Sequence, residues 1–255
     1  MSTRFKLLIL DADGTSTAPD RASLPSKAVI DAVREAQKSV HVALGTGRTF
    51  RGAQPLIKTL GLRGPSVLTG GAEIVDVSSG AILHNQLLSA KTLREVAAIA
   101  LRFHHHVFTA GAEPSMPIDA PEQIKHSAAM LVVEGVNDDQ IVNIMEEVEA
   151  VNGVAAHKAN SWSGEHLADL HITHEQASKR HGAERLIELL KVSKNEVMAI
   201  GDSHNDLPLL QAAGFKVAMG GAPDELKAAA DYVAPSFEED GAAEAIRRFI
   251  LADQG

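Results

Sequence analysis

Two short apolar runs in the sequence each end at a cluster of acidic residues and glycine. Phe5–Leu10 is nearly continuous in apolar residues and stops at Asp11, and Val197–Ile200 stops at Gly201. A run of this length without polar alternation is typical of a strand that is buried on both faces of a parallel sheet. We therefore expect a central parallel sheet that is covered by helices on both sides.

Helices and strands alternate around these two runs at both ends of the chain. In the first segment we predict helices and strands in the order helix Lys27–Lys38, strand Val40–Leu44, helix Arg51–Leu60, strand Ser66–Thr69 and a hairpin within Ala72–Leu83. In the last segment we predict helices Ala183–Leu190, Asp206–Ala213, Asp224–Ala230 and Ala242–Leu251, with strands Glu196–Ile200, Lys216–Met219 and Asp231–Ala234. This alternation predicts an α/β fold with a doubly wound, Rossmann-like parallel sheet.

The middle of the chain has a different order of elements. We predict helices at Ala90–Phe103 and Asp138–Val151, and strands near Val107, Met130–Val133, Val154 and Leu167–Ile172. Several strands with only two helices indicate an α+β layer. We therefore predict a core made of residues 1–86 and 176–255, with an inserted α+β domain at 87–175.

Charge and cysteine content exclude several classes of function. The formal net charge is -9, so the basic surface that binds nucleic-acid phosphates or an anionic bilayer is missing. The chain has no cysteine, which excludes disulfides and thiolate metal sites and suits a reducing compartment. We expect a cytoplasmic protein that binds a small molecule, neither nucleic acid nor membrane, and the oligomeric state stays open.

The first candidate functional cluster directly follows the Phe5–Leu10 run and contains Asp11, Asp13 and Gly14. Two carboxylates at a strand end can surround one ligand, so that one attacks while the other handles protons. Glycine lets the backbone turn closely beside an anion, and ligands of open α/β sheets bind at the carboxyl ends of strands. The alternative is a surface Asx turn.

The second candidate cluster, Gly45–Arg48, lies at the end of another predicted strand and before a helix. The Thr46 hydroxyl, unpaired amides such as that of Gly47, and the forked Arg48 guanidinium would together bind an anion. The alternative is a plain helix cap, and for Thr46 taken alone capping is the more common role.

The third and fourth candidate clusters lie in the last segment. Lys179 is placed at the edge of a predicted helix, where an ammonium can hold phosphate charge, although a lone lysine there is usually solvated. Asp202, Asn205 and Asp206 follow the Val197–Ile200 strand. Their oxygen donors suit a hard cation such as Mg²⁺ better than zinc, and the alternative is a cap by Asp202 or Ser203.

Taken together, these residues resemble the four motifs of the haloacid dehalogenase superfamily of phosphotransferases. Asp11 and Asp13 match the first motif, Thr46 the second and Lys179 the third. The fourth motif is matched by Asp202, Asn205 and Asp206. The insert resembles the α/β cap of the Cof-type, or subfamily IIB, branch, which includes many sugar-phosphate phosphatases.

The resemblance implies a role for each matching residue. Asp11 would be the nucleophile that forms an aspartyl phosphate, and Asp13 the general acid and base. The phosphoryl oxygens would be held by Thr46, the Gly47 amide, Lys179 and Asn205. Mg²⁺ would be bound by the Asp11 carboxylate, the Asp13 backbone carbonyl and Asp202, with Asp206 in support. The implied function is hydrolysis of a small phosphorylated metabolite, with the insert closing over the site.

The sequence departs from the family pattern at three places and leaves two alternatives open. Arg180 stands where the branch often has glycine, Gly70 where an asparagine is usual, and Ser16-Thr17 where paired leucines are common. These departures leave the substrate undetermined. A phosphomutase would share every catalytic group, and a non-catalytic phosphate-sensing module would not require the nucleophile.

Two further segments are left out of the predicted site. Consecutive residues His104, His105 and His106 cannot all face one metal ion. The segment Lys158–Glu165, which includes Trp162, is explained equally well as a loop that reaches the leaving group or as a surface turn.

Overall fold

The computed structural model describes residues 4–19, 23–103, 106–111, 115–161 and 166–252, and the chain divides into two compact units. The core unit comprises the described residues of Met1–Leu83 and Lys179–Gly255. The insert unit comprises those of His84–Ser178. The domain limits at residues 87 and 175 stay a prediction.

The secondary structure follows the predicted order in both segments of the core. The strands are β1 (Leu7–Leu10), β2 (His41–Leu44), β3 (Pro65–Leu68), β4 (Glu73–Asp76), β5 (Ala81–Asn85), β6 (His106–Ala110), β7 (Met116–Pro117), β8 (Met130–Asn137), β9 (Val154–Asn160), β10 (Leu167–His174), β11 (Val197–Gly201), β12 (Phe215–Ala218) and β13 (Tyr232–Val233). The helices are α1 (Lys27–Ala36), α2 (Phe50–Leu60), α3 (Ala90–Ala100), α4 (Asp138–Glu149), α5 (Lys179–Leu190), α6 (Leu207–Ala212), α7 (Asp224–Ala229) and α8 (Gly241–Ile246), which continues into a π-helical turn at Arg247–Leu251. Among the described residues, no helix has the length and apolar character needed to cross a bilayer.

The core unit is built on a parallel sheet with the strand order β13-β12-β11-β1-β2. Leu7 of β1 is in register with Val197 of β11 on one side and with His41 of β2 on the other. All four neighbouring pairs run parallel. Strands β3, β4 and β5 form a second sheet, and a parallel bridge between Gly45 and Val67 links β3 to the end of β2.

Helices cover both faces of the parallel sheet. Alternate residues of each strand point to opposite faces, so each strand contributes to two apolar clusters. Leu8 and Leu10 are buried in an apolar cluster that contains residues of α1, α2 and α8. Leu7 and Ile9 are buried in a second cluster that contains residues of α5, α6 and α7. Burial on both faces explains why β1 shows no polar alternation, and it confirms the predicted doubly wound α/β fold.

The insert unit contains a five-stranded sheet with the order β7-β6-β8-β10-β9. Every neighbouring pair in it is antiparallel. Helices α3 and α4 pack on one face of this sheet through Leu93, Val96, Ile141 and Ile144. The two-residue strand β7 was not predicted, because Met116-Pro117 is too short to show a period.

Candidate active site

Two predicted clusters meet at the carboxyl edge of the parallel sheet. Asp11 directly follows β1 and Asp202 directly follows the adjacent strand β11. Asp206 ends a 3₁₀ turn, His204–Asp206, that follows β11. One carboxylate oxygen from each of Asp11, Asp202 and Asp206 lies within 4.8 Å of the other two. The sheet therefore brings three acidic side chains from opposite ends of the chain to one point.

Lys179 provides a positive charge inside this cluster. Its Nζ donates to Oδ1 of Asp11 at 2.7 Å and to Oδ1 of Asp206 at 2.6 Å. The lysine side chain is 12% exposed, and that of Asp206 is fully buried. Helix α5 begins at Lys179, which corrects the predicted start at Ala183 and places the ammonium at the first helical residue.

The crowded charges change the pKa values of the cluster. Burial, and then repulsion from Asp206, raise the pKa of Asp11 well above its ordinary value, although Lys179 opposes this. Burial and repulsion from Asp206 also raise the pKa of Asp202 to about 6. Burial alone would lower the pKa of Lys179, but its attraction to Asp11 and Asp206 raises it above the usual range. The cluster therefore has more acidic groups than one ammonium can balance.

The donor set of this cluster fits a hard divalent cation. Carboxylate oxygens are the preferred ligands of such ions, and a cation beside Asp11 and Asp202 would favour their ionised forms. Asp206 has fewer free lone pairs, because its Oδ2 accepts from the amides of Asp202 and Ser203 and from the Ser203 hydroxyl, each at 3.1 Å. Asp206 thus holds the β11 loop and Lys179 in place, while Asp11 and Asp202 are the residues that would hold a cation.

Gly14 and Thr15 fix the position of the Asp202 carboxylate. Thr15 Oγ1 donates to Asp202 Oδ1 at 2.8 Å. Gly14 has φ +87°, which disfavours any residue with a Cβ, and a Cβ built there would lie 2.2 Å from Asp202 Oδ2. The close approach to an anion that was predicted for Gly14 is therefore an approach to Asp202.

Asp13 forms an ion pair with Arg48 and is not part of the cluster of Asp11, Asp202 and Asp206. The Arg48 Nε donates to Asp13 Oδ2 at 3.0 Å, and its Nη2 donates to Oδ1. The arginine side chain is 7% exposed and the aspartate side chain 30%. The fork that was predicted to bind an external anion is thus directed at a carboxylate of the same chain. Metal binding by the Asp13 backbone carbonyl stays a prediction.

The Thr46 loop is not a helix cap. The N-cap of α2 is Thr49, whose side chain accepts a hydrogen bond from the Gly52 amide. Thr46 is buried, and its Oγ1 accepts from the Arg48 amide at 3.2 Å. Gly47 is half-buried beside it. The capping alternative for Thr46 is therefore wrong, and its functional role stays a prediction.

Thr69 and Glu73, which were not predicted from the sequence, stabilise the loop that contains Thr46 and Arg48. Thr69 has φ +53°, a conformation that a β-branched residue rarely adopts, and its Oγ1 donates to Oε2 of buried Glu73 at 2.6 Å. The Thr69 amide donates to the Arg48 carbonyl at 2.9 Å. The sequence feature that could have identified them is a glutamate, Glu73, at the start of the otherwise apolar stretch Glu73–Val75, because a carboxylate in a buried strand needs a hydrogen-bond partner.

The other predicted residues lie at the margin of the cluster. Asn205 is exposed within the 3₁₀ turn between Asp202 and Asp206. His204 is also exposed, and its Nδ1 lies 3.4 Å from Glu225 Oε2. Residues 104, 105 and 162–165, which were left out of the predicted site, lie outside the described residues.

Comparison with known proteins identifies the family. A family model described as haloacid dehalogenase-like hydrolase matches residues 8–246. A curated relative, the 5-amino-6-(5-phospho-D-ribitylamino)uracil phosphatase of Bacillus subtilis, is 28% identical over 248 residues, which cover 97% of this chain and 96% of that protein. The relative's name agrees with the predicted enzyme class, a phosphoric monoester hydrolase.

Solved structures agree with the fold. A haloacid dehalogenase-like hydrolase from Bacteroides thetaiotaomicron has a TM-score of 0.81 at 23% identity and covers 96% of this chain and 99% of its own. A sugar phosphatase of subclass IIB has a TM-score of 0.79 at 18% identity, with coverage of 96% and 98%. At these identities the structures show the fold alone. Because the family model spans both segments of the core and the insert, this chain belongs to the haloacid dehalogenase-like hydrolases.

Proposed function

We propose that this enzyme is a Mg²⁺-dependent phosphatase that hydrolyses a small phosphomonoester through an aspartyl phosphate on Asp11. The observation that carries the proposal is the buried contact of Asp11 with Lys179, beside Asp202, at the carboxyl edge of the sheet. A nucleophilic carboxylate and a phosphate dianion repel each other, so a buried ammonium and a cation site are what this reaction requires.

The first step transfers the phosphoryl group to Asp11. Lys179 binds Oδ1 of Asp11, so we assign the attack on phosphorus to Oδ2. The new O–P bond forms as the bond from phosphorus to the leaving oxygen breaks, and Asp13 gives its proton to that oxygen. Because Arg48 binds both oxygens of Asp13, this fork has to open before Asp13 delivers a proton.

The second step returns Asp11 to its starting state. Asp13, now ionised, takes a proton from water, the water oxygen bonds to phosphorus, and the bond between phosphorus and Asp11 breaks. Thr46, the Gly47 amide, Lys179 and Asn205 are proposed to bind the phosphoryl oxygens throughout. A Mg²⁺ ion held by Asp11, Asp202 and the Asp13 carbonyl would neutralise the charge on those oxygens.

The substrate is proposed to be a small, hydroxyl-bearing phosphomonoester such as a sugar phosphate. The ribityl phosphate in the name of the Bacillus subtilis relative supports this class, and the net charge of -9 disfavours polyanionic macromolecules. The insert unit is proposed to close over the site and choose the leaving group, because the groups named above contact only the phosphoryl part. The cytoplasmic location stays a prediction.

The test is phosphate release from a panel of sugar phosphates and p-nitrophenyl phosphate, with Mg²⁺ or with EDTA. Asp11→Asn should abolish turnover, because the amide is nearly isosteric yet cannot form the acyl phosphate. Asp13→Asn should lower the rate about 100- to 10,000-fold. EDTA should abolish activity, and Asp202→Ala should weaken the response to Mg²⁺ more than Asp206→Ala.

The matched control is Asp31→Asn, the same change on an exposed carboxylate of α1. It should leave the rate unchanged. Near-normal release by a correctly folded Asp11→Asn variant, judged by circular dichroism, would sink the mechanism. Release from a monophosphate without an added bisphosphate separates a phosphatase from a phosphomutase.

A further inference from the structure

Hydrogen bonds within the core unit occupy three of the four carboxylate oxygens of Asp202 and Asp206. Asp206 accepts from Lys179 through Oδ1, and through Oδ2 from the Asp202 amide and from the amide and hydroxyl of Ser203. Asp202 accepts from the Thr15 hydroxyl through Oδ1 at 2.8 Å. Oδ2 of Asp202 is therefore the oxygen of this pair that is left to bind a cation.

Thr15 is held in place by burial and by its own loop. The residue is 1% exposed. The Gly14 amide donates to the Thr17 carbonyl at 2.8 Å, and the Thr17 amide donates to the Ala12 carbonyl at 2.9 Å. The loop therefore keeps the Thr15 hydroxyl against Oδ1 of Asp202, and this hydrogen bond restrains the rotation of the carboxylate.

The backbone of the same loop holds the other oxygen of Asp202. A Cβ built on Gly14 would lie 2.2 Å from Oδ2, so this oxygen packs directly against the glycine. Gly14 follows Asp13, whose backbone carbonyl is proposed to bind the same ion. The carboxylate is thus held from two sides, with Oδ1 on the Thr15 hydroxyl and Oδ2 beside Gly14.

A carboxylate that offers one oxygen distinguishes between divalent cations. Mg²⁺ requires near-octahedral geometry, keeps several waters and takes one or two protein carboxylates. Ca²⁺ takes about six to eight oxygen ligands and often binds both oxygens of a carboxylate. A hydroxyl that donates to Oδ1 opposes such a bidentate contact at Asp202, and Asp206 cannot replace it because both of its oxygens are occupied.

We infer that Thr15 is a positioning residue that selects the metal ion, because its hydroxyl restricts Asp202 to coordination through one oxygen and so disfavours Ca²⁺. The inference rests on the proposed function, which supplies the Mg²⁺ site. It adds a basis for discrimination that the charge of the cluster does not provide, since the acidic side chains attract both divalent ions.

Thr15→Val tests this role, because valine keeps the volume and the branched shape of threonine but has no hydroxyl. Metal-free protein is melted over a series of MgCl₂ or CaCl₂ concentrations, and the rise in melting temperature gives a Kd for each ion without a substrate. The wild-type protein should bind Ca²⁺ more weakly than Mg²⁺. The ratio of the Kd for Ca²⁺ to the Kd for Mg²⁺ should fall about 10-fold in Thr15→Val, the lower end of the range for a hydrogen bond to a charged group.

Three further variants separate metal selection from stability. Thr17→Val makes the same change in the same buried loop, but the Thr17 hydroxyl donates to the carbonyls of Ala12 and Ala18, so the ratio should stay at the wild-type value. Thr15→Ser keeps a hydroxyl and should return the ratio toward that of the wild-type protein. Should Thr15→Val fail to fold, Thr15→Ala removes the same hydrogen bond and must show the same fall.

Three results would overturn the inference and leave the proposed function standing. They are a wild-type protein that binds Ca²⁺ as tightly as Mg²⁺, a Thr15→Val variant that keeps the wild-type ratio, and an equal fall in Thr17→Val, which would show a general loosening of the loop. Binding of neither ion by the wild-type protein, together with full phosphatase activity in EDTA, would refute the proposed Mg²⁺ site and the inference with it.

Discussion

Replacing Lys179 by methionine tests the electrostatic balance of the site without use of a substrate. Methionine has a similar length and keeps the apolar packing of the lysine stem, but it removes the charge that both Asp11 and Asp206 contact. The side chains of these two aspartates are 8% and 0% exposed, so solvent cannot replace the ammonium. Removal of one partner of a buried ion pair typically costs about 3–5 kcal/mol.

We therefore expect Lys179→Met to lower the free energy of unfolding by about 3–5 kcal/mol in EDTA at about pH 8. The loss should shrink at about pH 5, because the folded-state pKa of Asp11 is already raised and rises further without the lysine. A carboxylate of this kind stabilises the fold below its unfolded pKa and loses that contribution as the pH rises through its folded pKa.

Urea unfolding at the two pH values, followed by circular dichroism, measures the effect. Lys194→Met is the matched control, because Lys194 is exposed and its Nζ donates to the Gln211 carbonyl. It should change stability by less than about 0.5 kcal/mol. Adding Asp206→Asn to Lys179→Met should recover part of the loss, because one of the unbalanced charges is gone. A loss below about 1 kcal/mol, as for an exposed ion pair, would refute the reasoning.

Two further predictions concern Asp202. Gly14→Ala should cost about 1–3 kcal/mol of stability, because alanine is strained at the positive φ of this position. Its Cβ would also displace the Asp202 carboxylate, so the Mg²⁺ concentration for half-maximal activity should rise. An unchanged Mg²⁺ response would contradict this contact. Because the pKa of Asp202 is raised to about 6, its contribution to stability in EDTA is present below about pH 4 and is lost as the pH rises through about 6. Thermal melts should show that the melting temperature of Asp202→Asn depends less on pH than that of the wild-type protein, and that Mg²⁺ raises the wild-type melting temperature at neutral pH. An equal pH dependence in the two proteins would refute the assignment.

The meeting of the Asp11 and Asp202 clusters was predictable because each follows a strand that is apolar on both faces. The carboxyl ends of adjacent parallel strands lie at one edge, so the alignment of β1 with β11 brings the two aspartates together. The pattern of apolar residues is therefore enough to predict that the two aspartates lie at the same edge of the sheet, even though no individual contact is known.

The start of α5 could not be predicted from the pattern of apolar residues. Lys179, Arg180 and His181 carry no apolar period, and Gly182 is a poor helix former. The structure explains the glycine: a Cβ there would lie 2.5 Å from Val67 Cγ1 of β3. The helix begins early because Asp11 and Asp206 hold its first residue, and these are contacts across the fold.

The hydrogen-bond partners of Asp13 and Thr69 also could not be predicted from the sequence pattern. Each depends on which side chain the fold places opposite, and periodicity reports only the face on which a residue lies. The Arg48 fork shows this limit, because the arginine was recognised as an anion-binding group, whereas its partner in the structure, the Asp13 carboxylate, was not predicted.

The pairing of β1 with β11 also governs the order in which the protein can form during synthesis. Leu7 and Val197 are neighbours in the sheet but about 190 residues apart in the chain, so closure of this pair has a high loop entropy cost. While the ribosome is still making the last third, β1 has only β2 beside it. We expect the nascent core to expose its apolar strands until β11 emerges, and the acidic cluster to be assembled only then.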